Sequence, residues 1–322
     1  MFSNIGVVGA GAMGTAIAQT VCENAQKVLL YARREEVSNH INNTHFNKEY
    51  FPNIRLEDNI IAINDLDNLK DADIIFLTLP SSTIRKIVRD LKDIISADCV
   101  LVNTAKGLEK GTQKRMSEVI MEETGRPACV LSGPNIAAEM VERTFSSASI
   151  ACSNKQYLKK VKKALETPKF KVSTTDDVIG VEYCGVIKNV IAISQGICQG
   201  MKVNENARFS VFTKTYNETK DLIEKFGGER DTVDDYCGFG DIITASTLTV
   251  SRNHTLGVLY GQKIIIDEQA SGILFEGKNT IVIMKDLCRK YNIESATVDF
   301  AYDVIIDRVN PEDAFKRFWD KL

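Results

Sequence analysis

The chain has 322 residues, of which 44% are hydrophobic and 26% are charged, and its formal net charge is -3. This composition is typical of a globular protein, and the length favours two domains over a single hydrophobic core. The sequence contains no block of basic residues, and neutralising nucleic-acid phosphates needs clustered cations. We therefore expect no nucleic-acid partner.

The sequence shows no signal for export or membrane insertion. No basic region precedes the first apolar segment, which breaks into glycines at once, so we expect no signal peptide. No apolar run approaches the roughly 20 residues that span a bilayer. The eight cysteines form no C-x-x-C pair and lie mostly in apolar strings, which predicts buried free thiols, no metal site and a reducing, cytoplasmic location.

The first half of the chain alternates short apolar runs with amphipathic segments. Five runs predict β-strands: Ile5 to Val8, Val28 to Tyr31, Ala72 to Leu79, Cys99 to Asn103 and Ala128 to Ser132. Segments with helical spacing lie between several of them, over Gly14 to Glu23, Thr83 to Ile95 and Gln113 to Glu123. Apolar strands that alternate with helices are typical of an α/β fold with a doubly wound parallel sheet.

The second half of the chain predicts helices. Helical periodicity covers Asp176 to Gly200, Asn206 to Phe226, Phe239 to Tyr260, Thr280 to Tyr291 and Ser295 to Arg308, and long strands are absent. We therefore expect a doubly wound domain over 1–175 and an all-helical domain over 176–322.

A glycine-rich turn follows the first predicted strand. Residues 9–14 read G-A-G-A-M-G and fit the pattern G-x-G-x-x-G at the start of a βαβ unit. In this context the glycines allow a tight turn, a close approach to a pyrophosphate and close packing of helix on strand. The interpretation is a Rossmann-type dinucleotide site with these candidate contacts: Gly9, Gly11, Ala12, Met13 and Gly14. A glycine-rich turn without a ligand is the less favoured alternative.

Two arginines follow the second predicted strand, where sites that prefer NAD usually place a carboxylate for the ribose 2′-hydroxyl. Arg33 and Arg34 could stack on the adenine or bind a 2′-phosphate, and a solvated loop is the alternative. The sequence therefore leaves both NAD and NADP open as the cofactor.

Two lysines are candidates for chemistry. Lys188 lies in an apolar helical segment, and its neighbours three and four positions away are small or apolar, so its face should be buried. Burial would lower the pKa of the amine towards the range useful for proton transfer. The alternative is a buried ion pair with Glu182 or Asp241. Lys106 follows the strand that ends at Asn103, at the sheet edge where α/β proteins bind ligands.

The sequence resembles the NAD(P)-dependent sn-glycerol-3-phosphate dehydrogenase family over nearly its whole length. The most specific matches are DVIGVEYCGVIKNVIAI over Asp177 to Ile193 and S-R-N over Ser251 to Asn253. The other matching segments are Gly9 to Ala18, Glu49 to Asn53, Leu79 to Ser81, Thr104 to Glu109, Leu131 to Glu139, Gly238 to Thr244 and Phe275 to Gly277.

The resemblance implies an oxidoreductase that interconverts dihydroxyacetone phosphate and sn-glycerol 3-phosphate with NAD or NADP. Lys188 falls on the family's proton acceptor, Lys106 on its second catalytic lysine and Asp241 on a carboxylate beside that pair. The implied substrate contacts are Gly133, Asn135, Ser251, Arg252 and Asn253. The implied cofactor contacts are Met13, Arg33, Tyr50, Lys106, Ala137, Arg252, Leu274 and Glu276.

The resemblance also implies the architecture and the setting. The helical domain should resemble the C-terminal domain of 6-phosphogluconate dehydrogenase and bind a small phosphorylated substrate. The protein should be a cytoplasmic homodimer that feeds glycerophospholipid or glycerol-phosphate synthesis.

The sequence departs from the family pattern at three places. Ala245 stands where a threonine is usual, Lys214 stands where the family has an arginine, and Gly133-Pro134-Asn135 mixes features of bacterial and eukaryotic members. A different phosphorylated ketose or polyol therefore remains an alternative substrate.

Other classes of protein fit the sequence less well. A histidine-based 2-hydroxyacid dehydrogenase would need a histidine in the active site, and His40, His45 and His254 are poorly placed for that role. A 6-phosphogluconate or hydroxyisobutyrate dehydrogenase would lack the S-R-N segment. A catalytically inactive dinucleotide sensor should lack Lys106 and Lys188.

Overall fold

The structure is a computed structural model that describes residues 1–247, 251–265 and 276–322. This part of the chain divides into two units. Unit 1 comprises Met1–Glu109 and Lys114–Val178, and unit 2 comprises Lys110–Gln113 and Ile179–Leu322.

Unit 1 is built on a sheet whose described strands have the order β10-β9-β8-β7-β6-β1-β2-β5. The strands of this sheet are β1 (Phe2–Val8), β2 (Ala25–Tyr31), β5 (Ile60–Ile63), β6 (Ile74–Leu77), β7 (Val100–Asn103), β8 (Cys129–Ser132), β9 (Ser146–Ala151) and β10 (Phe170–Thr175). A separate hairpin pairs β3 (Phe46–Asn47) with β4 (Phe51–Arg55). The helices are α1 (Ala12–Val21), α2 (Glu35–Thr44), α3 (Ser81–Lys92), α4 (Met116–Thr124), α5 (Ala137–Val141) and α6 (Lys155–Leu165).

The predicted doubly wound α/β fold is confirmed, with one reversal of strand direction. The strands from β5 to β8 pair in parallel, whereas β8 and β9 pair antiparallel. A parallel connection needs a crossover that usually carries a full helix, and the segment between β8 and β9 carries only the five-residue helix α5. The last two strands therefore run opposite to the others.

Both faces of the central strands are buried, which explains their continuous apolar runs. Ile74 and Phe76 of β6 pack in one hydrophobic cluster, while Ile75 and Leu77 pack in another. Successive strand residues point to opposite faces, so a strand covered on both sides has no polar alternation. These two clusters form the core of unit 1 on the two sides of the sheet.

The secondary structure of unit 2 within its described residues is helical, with no strand. Its helices are α7 (Val178–Gly200), α8 (Glu205–Lys225), α9 (Asp241–Thr247), α10 (Arg252–Gly261), α11 (Glu276–Lys290), α12 (Ala296–Ile305) and α13 (Pro311–Trp319). A π-helical turn, Tyr236–Gly240, precedes α9. The single helix predicted over Phe239 to Tyr260 is wrong, because the Ser251 side chain caps a new helix by accepting a hydrogen bond from the His254 N–H.

The long helix α7 is the core of unit 2. Nineteen of its 23 residues are buried, with Lys188 among the exceptions. Of the helices in the described ranges, α7 alone has the length and composition of a membrane span. From the sequence we expected no apolar segment of that length. Its most apolar window is 83% buried, and core helices of soluble proteins pass the same test.

Helices α7 and α10 cross at four glycines. A Cβ added to Gly257 would lie 2.2 Å from the Ile193 carbonyl oxygen, and one added to Gly196 would lie 2.1 Å from the His254 carbonyl oxygen. Gly200 and Gly261 make the same kind of contact one turn further along. The two backbones therefore approach more closely than any larger residue would allow, which packs the second half of α10 against the C-terminal part of α7.

We predict that Gly257→Ala destabilises the protein by about 2 kcal/mol, because the new methyl group overlaps a backbone carbonyl of α7. Helix propensity alone would give a gain of up to about 1 kcal/mol. Urea unfolding measures the change. The control is Thr255→Ala, at an exposed position of the same helix. Equal stability of the two variants would contradict the close crossing.

Candidate functional site

The glycine-rich turn has the geometry that a dinucleotide needs. Gly9 has φ +117°, a conformation that other residues rarely adopt, and a Cβ on Gly14 would lie 1.7 Å from the Gly9 carbonyl oxygen. Over Gly11, by contrast, the nearest atom to an added Cβ is the Tyr50 Cζ at 4.0 Å. Open space beside the N-terminus of α1 fits a pyrophosphate group, which the free N–H groups of Ala12 and its neighbours can bind.

The two arginines after β2 differ in their surroundings. Arg34 forms ion pairs with Glu49 and, at 3.7 Å, with Glu36. The hydrogen bond to Glu49 raises the pKa of the Arg34 guanidinium. Arg33 is exposed and has no ion pair with any residue that the structure describes. Arg33 is therefore the arginine whose charge remains available to a ligand.

Lys106 lies beside two of the predicted substrate contacts. Its Nζ donates a hydrogen bond to the Gly133 carbonyl oxygen at 3.0 Å, across the carboxyl ends of β7 and β8. The Asn135 side chain donates to the Ser147 carbonyl oxygen at 3.0 Å, and the Asn135 N–H donates to Gly133 at 2.7 Å. Lys106, Gly133 and Asn135 thus form one polar group at the edge of the sheet.

Lys188 is paired with Asp241 in the interior of unit 2. The Lys188 Nζ lies 2.8 Å from the Asp241 Oδ1, and the two side chains are only 16% and 3% exposed. Of the two carboxylates considered from the sequence, Asp241 is therefore the partner. Asp241 is the first residue of α9, immediately after the π-helical turn, so this irregular turn places its carboxylate. The arrangement holds one amine, partly open to solvent, against a buried carboxylate.

The N-terminus of α10 gathers the predicted phosphate contacts. Ser251 caps the helix, Arg252 is its first residue, and the Asn253 side chain donates to the Asn189 Oδ1 at 2.9 Å. Arg252 is exposed and forms no ion pair with the described residues. A free guanidinium beside the positive end of a helix is suited to an anion such as phosphate. Asn189 follows Lys188 on α7, so the hydrogen bond from Asn253 connects the start of α10 to the helix that carries Lys188.

The remaining predicted cofactor contacts are spread over other elements. Met13 lies in the first turn of α1, Tyr50 precedes β4, and Ala137 begins α5. Glu276 begins α11, whereas Leu274 lies outside the described residues. Four of the predicted groups are thus brought together within a unit: the glycine turn with Tyr50, Lys106 with Gly133 and Asn135, Lys188 with Asp241, and Ser251 to Asn253 at the start of α10.

Sequence reasoning missed two residues that brace these groups. The Asn47 side chain donates to the Ala10 carbonyl oxygen at 3.0 Å and to the Thr15 hydroxyl at 2.8 Å, and so supports the glycine turn. Asn189 accepts the hydrogen bond from Asn253. Its position next to Lys188 in an apolar helix was an available signal, since a buried amide needs a partner.

The structure also shows the state of the cysteines and whether side chains cluster as a metal site. All eight cysteines are buried and free, which confirms the expectation of unpaired thiols. Across residues 1–247, 251–265 and 276–322, no three His, Cys, Asp or Glu side chains come together as a metal site.

The fold and these groups define a dinucleotide-binding α/β protein with a helical second unit that carries a lysine paired with a buried carboxylate. Two family models match the chain: NAD-dependent glycerol-3-phosphate dehydrogenase N-terminus over residues 4–158, and the C-terminus of the same enzyme over residues 177–316. The chain belongs to this family, and the resemblance seen in the sequence is confirmed.

Relatives and solved structures agree with the family models. The chain is 35% identical to glycerol-3-phosphate dehydrogenase [NAD(P)+] of Methanothermobacter thermautotrophicus, covering 98% of this chain and 97% of that protein. It is 33% identical to the protein of the same name from Streptomyces griseus, covering 98% and 96%. The crystal structure of glycerol-3-phosphate dehydrogenase from Coxiella burnetii matches with a TM-score of 0.90 at 30% identity, over 99% of both chains.

We predict that Asp241→Asn lowers the free energy of unfolding by about 2–4 kcal/mol, because it leaves the Lys188 ammonium without a charged partner in a mostly buried position. The control is Asp299→Asn, which removes the partner of Lys285 in the same unit. Asp299 is 34% exposed, so its loss should cost less than about 1 kcal/mol. Urea unfolding compares the two variants, and equal losses would contradict a buried pair at Lys188.

Proposed function

We propose that this protein reduces dihydroxyacetone phosphate to sn-glycerol 3-phosphate, and catalyses the reverse oxidation, with NAD or NADP as cofactor. The observation that carries the proposal is the pairing of Lys188 with the buried Asp241 carboxylate in a chain that belongs to the NAD-dependent glycerol-3-phosphate dehydrogenase family. Residues 1–175 serve as the dinucleotide-binding domain, and residues 176–322 serve as the substrate-binding domain.

The cofactor supplies the hydride that arrives at C2 of the ketone. The protein's own task is to bind the cofactor, and three features of unit 1 support this role. The turn over Gly9 to Gly14 leaves room for the pyrophosphate beside α1, and Tyr50 borders that space. Arg33 offers an unpaired guanidinium at the end of β2, where a 2′-phosphate or the adenine ring would lie.

The second task is to hold the substrate by its phosphate. Ser251, Arg252 and Asn253 stand at the start of α10, where a helix terminus and a guanidinium both favour an anion. The contact between Asn253 and Asn189 joins this anion site to the helix that carries Lys188. Gly133 and Asn135 are the proposed substrate contacts of unit 1.

The third task is to move a proton at the C2 oxygen. In the reducing direction the Lys188 ammonium donates its proton to that oxygen, and in the oxidising direction the neutral amine accepts it. Asp241 holds the amine in one position through the 2.8 Å contact. Lys106, oriented by the Gly133 carbonyl oxygen, stabilises the negative charge that develops on the C2 oxygen.

We also propose that the protein is a cytoplasmic homodimer that supplies glycerophospholipid synthesis. The eight buried free thiols support a reducing compartment. The dimer is implied by the family resemblance, and light scattering after size-exclusion chromatography measures it.

The substrate is tested with a panel of phosphorylated ketones, assayed by the oxidation of NADH and of NADPH. The proposal predicts that dihydroxyacetone phosphate has the highest kcat/KM of the panel. A higher value for another phosphorylated ketose would favour the alternative that Ala245 and Lys214 leave open. Cofactor binding without turnover of any ketone would favour a sensor.

We predict that Lys188→Ala lowers kcat by about 10²-fold or more, because the proton donor is removed while the cofactor-binding turn lies elsewhere in the chain. Fluorescence titration should give an unchanged Kd for NADPH. The matched control is Lys285→Ala, which removes a paired lysine of the same unit outside the proposed site. A normal kcat in Lys188→Ala would exclude this residue from the reaction.

We predict that Arg33→Ala raises the KM for NADPH about 10-fold, because the unpaired guanidinium is lost, whereas Arg34→Ala has a smaller effect because Arg34 is already paired with Glu49. The KM for NADH separates two roles of Arg33. It stays constant if Arg33 binds the 2′-phosphate and rises equally if Arg33 stacks on the adenine. An unchanged KM for both cofactors would remove Arg33 from the site.

A further inference from the structure

The segment that carries Lys106 is attached to helix α3 at two points. Gly107 lies against the first residue of α3, where an added Cβ would come within 2.7 Å of the Ser81 hydroxyl oxygen. One turn later on the same helix, Arg85 forms a two-bond ion pair with Glu109. Its Nε lies 2.7 Å from the Glu109 Oε1, and its Nη2 lies 2.7 Å from the Oε2.

The Arg85–Glu109 pair has the features of a strong and directional contact. The two side chains are only 19% and 15% exposed, so solvent screens their attraction weakly. Two parallel bonds between a guanidinium and a carboxylate fix orientation as well as distance. The Glu109 hydrogen bond is the main cause that raises the pKa of the Arg85 guanidinium.

Arg85 is itself held in place by helix α4. It contacts Glu123 and, at 2.9 Å, Glu122, which are both on α4. Arg89, one turn further along α3, also contacts Glu123 at 2.8 Å but does not contact Glu109. Arg85 therefore connects α4 as well as α3 to the Lys106 segment.

We propose that Arg85 and Glu109 are positioning residues for Lys106, acting through the backbone of residues 106–109. The other end of the segment is fixed where β7 ends, since the Asn103 side chain exchanges hydrogen bonds with the Ala105 backbone at 3.1 Å. Lys106 thus stands between two fixed points, and its amine reaches the Gly133 carbonyl oxygen. Loss of the ion pair removes the side-chain attachment at one end of the segment, which lets the Lys106 amine shift from its position against the Gly133 carbonyl oxygen.

This inference rests on the proposed function for its catalytic readout. The variant Glu109→Gln keeps the size of the side chain and removes its charge. It should lower kcat/KM for dihydroxyacetone phosphate about 10-fold in the wild-type background, since small misplacements of an active group reduce rates strongly. In a Lys106→Ala background the same change should alter kcat/KM less than about 2-fold, because residues that act as one unit are not additive.

Arg89→Met is the matched control, because it removes an arginine of α3 that contacts α4 and leaves the Lys106 segment untouched. It should change kcat/KM less than about 2-fold in either background. Single-turnover assays with enzyme in excess extend the measurement to the slow Lys106→Ala variants. An equal effect of Glu109→Gln in both backgrounds would show a general structural role and overturn the proposal, as would no effect in either.

Hydrogen exchange of the amides of residues 104–109, followed by mass spectrometry, tests the attachment without turnover. Glu109→Gln should raise exchange in this segment, and Arg89→Met should not. If Glu109→Gln raises exchange but the wild type does not reduce dihydroxyacetone phosphate, the proposed function is refuted and the attachment of the segment is supported. Unchanged exchange in an active enzyme would refute the attachment alone.

Discussion

The contact between Lys188 and the buried Asp241 carboxylate is the interaction on which the structure and the proposed chemistry of unit 2 depend. An amine in the interior of a helical unit is costly unless a carboxylate meets it, and Asp241 does so at 2.8 Å. The π-helical turn immediately precedes Asp241 and places its carboxylate. Separately, the glycine crossing packs α10 against α7. The start of α10 is thereby held near the residue that follows Lys188, through Asn189 and Asn253.

Unit 1 positions its polar functional groups at the ends of β-strands. Its sheet is covered on both faces, so polar groups concentrate where the strands end. The glycine turn follows β1, Arg33 follows β2, and the Lys106 segment follows β7. Two of these segments are supported by side chains from other elements: Asn47 bonds to the glycine turn and Arg85 bonds to the Lys106 segment. These contacts hold the two segments in one position, which is the condition for efficient group positioning.

Much of this arrangement could be predicted from the sequence, and the failures have physical causes. The run at Ile74 to Leu77 was recognisable because burial on both faces leaves no polar residue. Strand β10 was missed because, at the sheet edge, every second residue is polar or charged. The neighbours of Lys188 in the helix predicted burial of its face, and the structure leaves its side chain 16% exposed. The sequence named Glu182 and Asp241 as possible partners but could not choose between them, because Asp241 lies 53 positions away and local periodicity carries no information about such contacts. The Arg85–Glu109 pair was missed for the same reason.

The most direct test is the rate of hydride transfer measured by stopped flow in the wild type and in Asp241→Asn, with Lys188 unchanged in both. We expect the variant to bind NADPH with the same Kd and to transfer hydride to dihydroxyacetone phosphate at least about 10-fold more slowly, because its amine is no longer held by a carboxylate. Equal rates of hydride transfer in the two proteins would contradict the account.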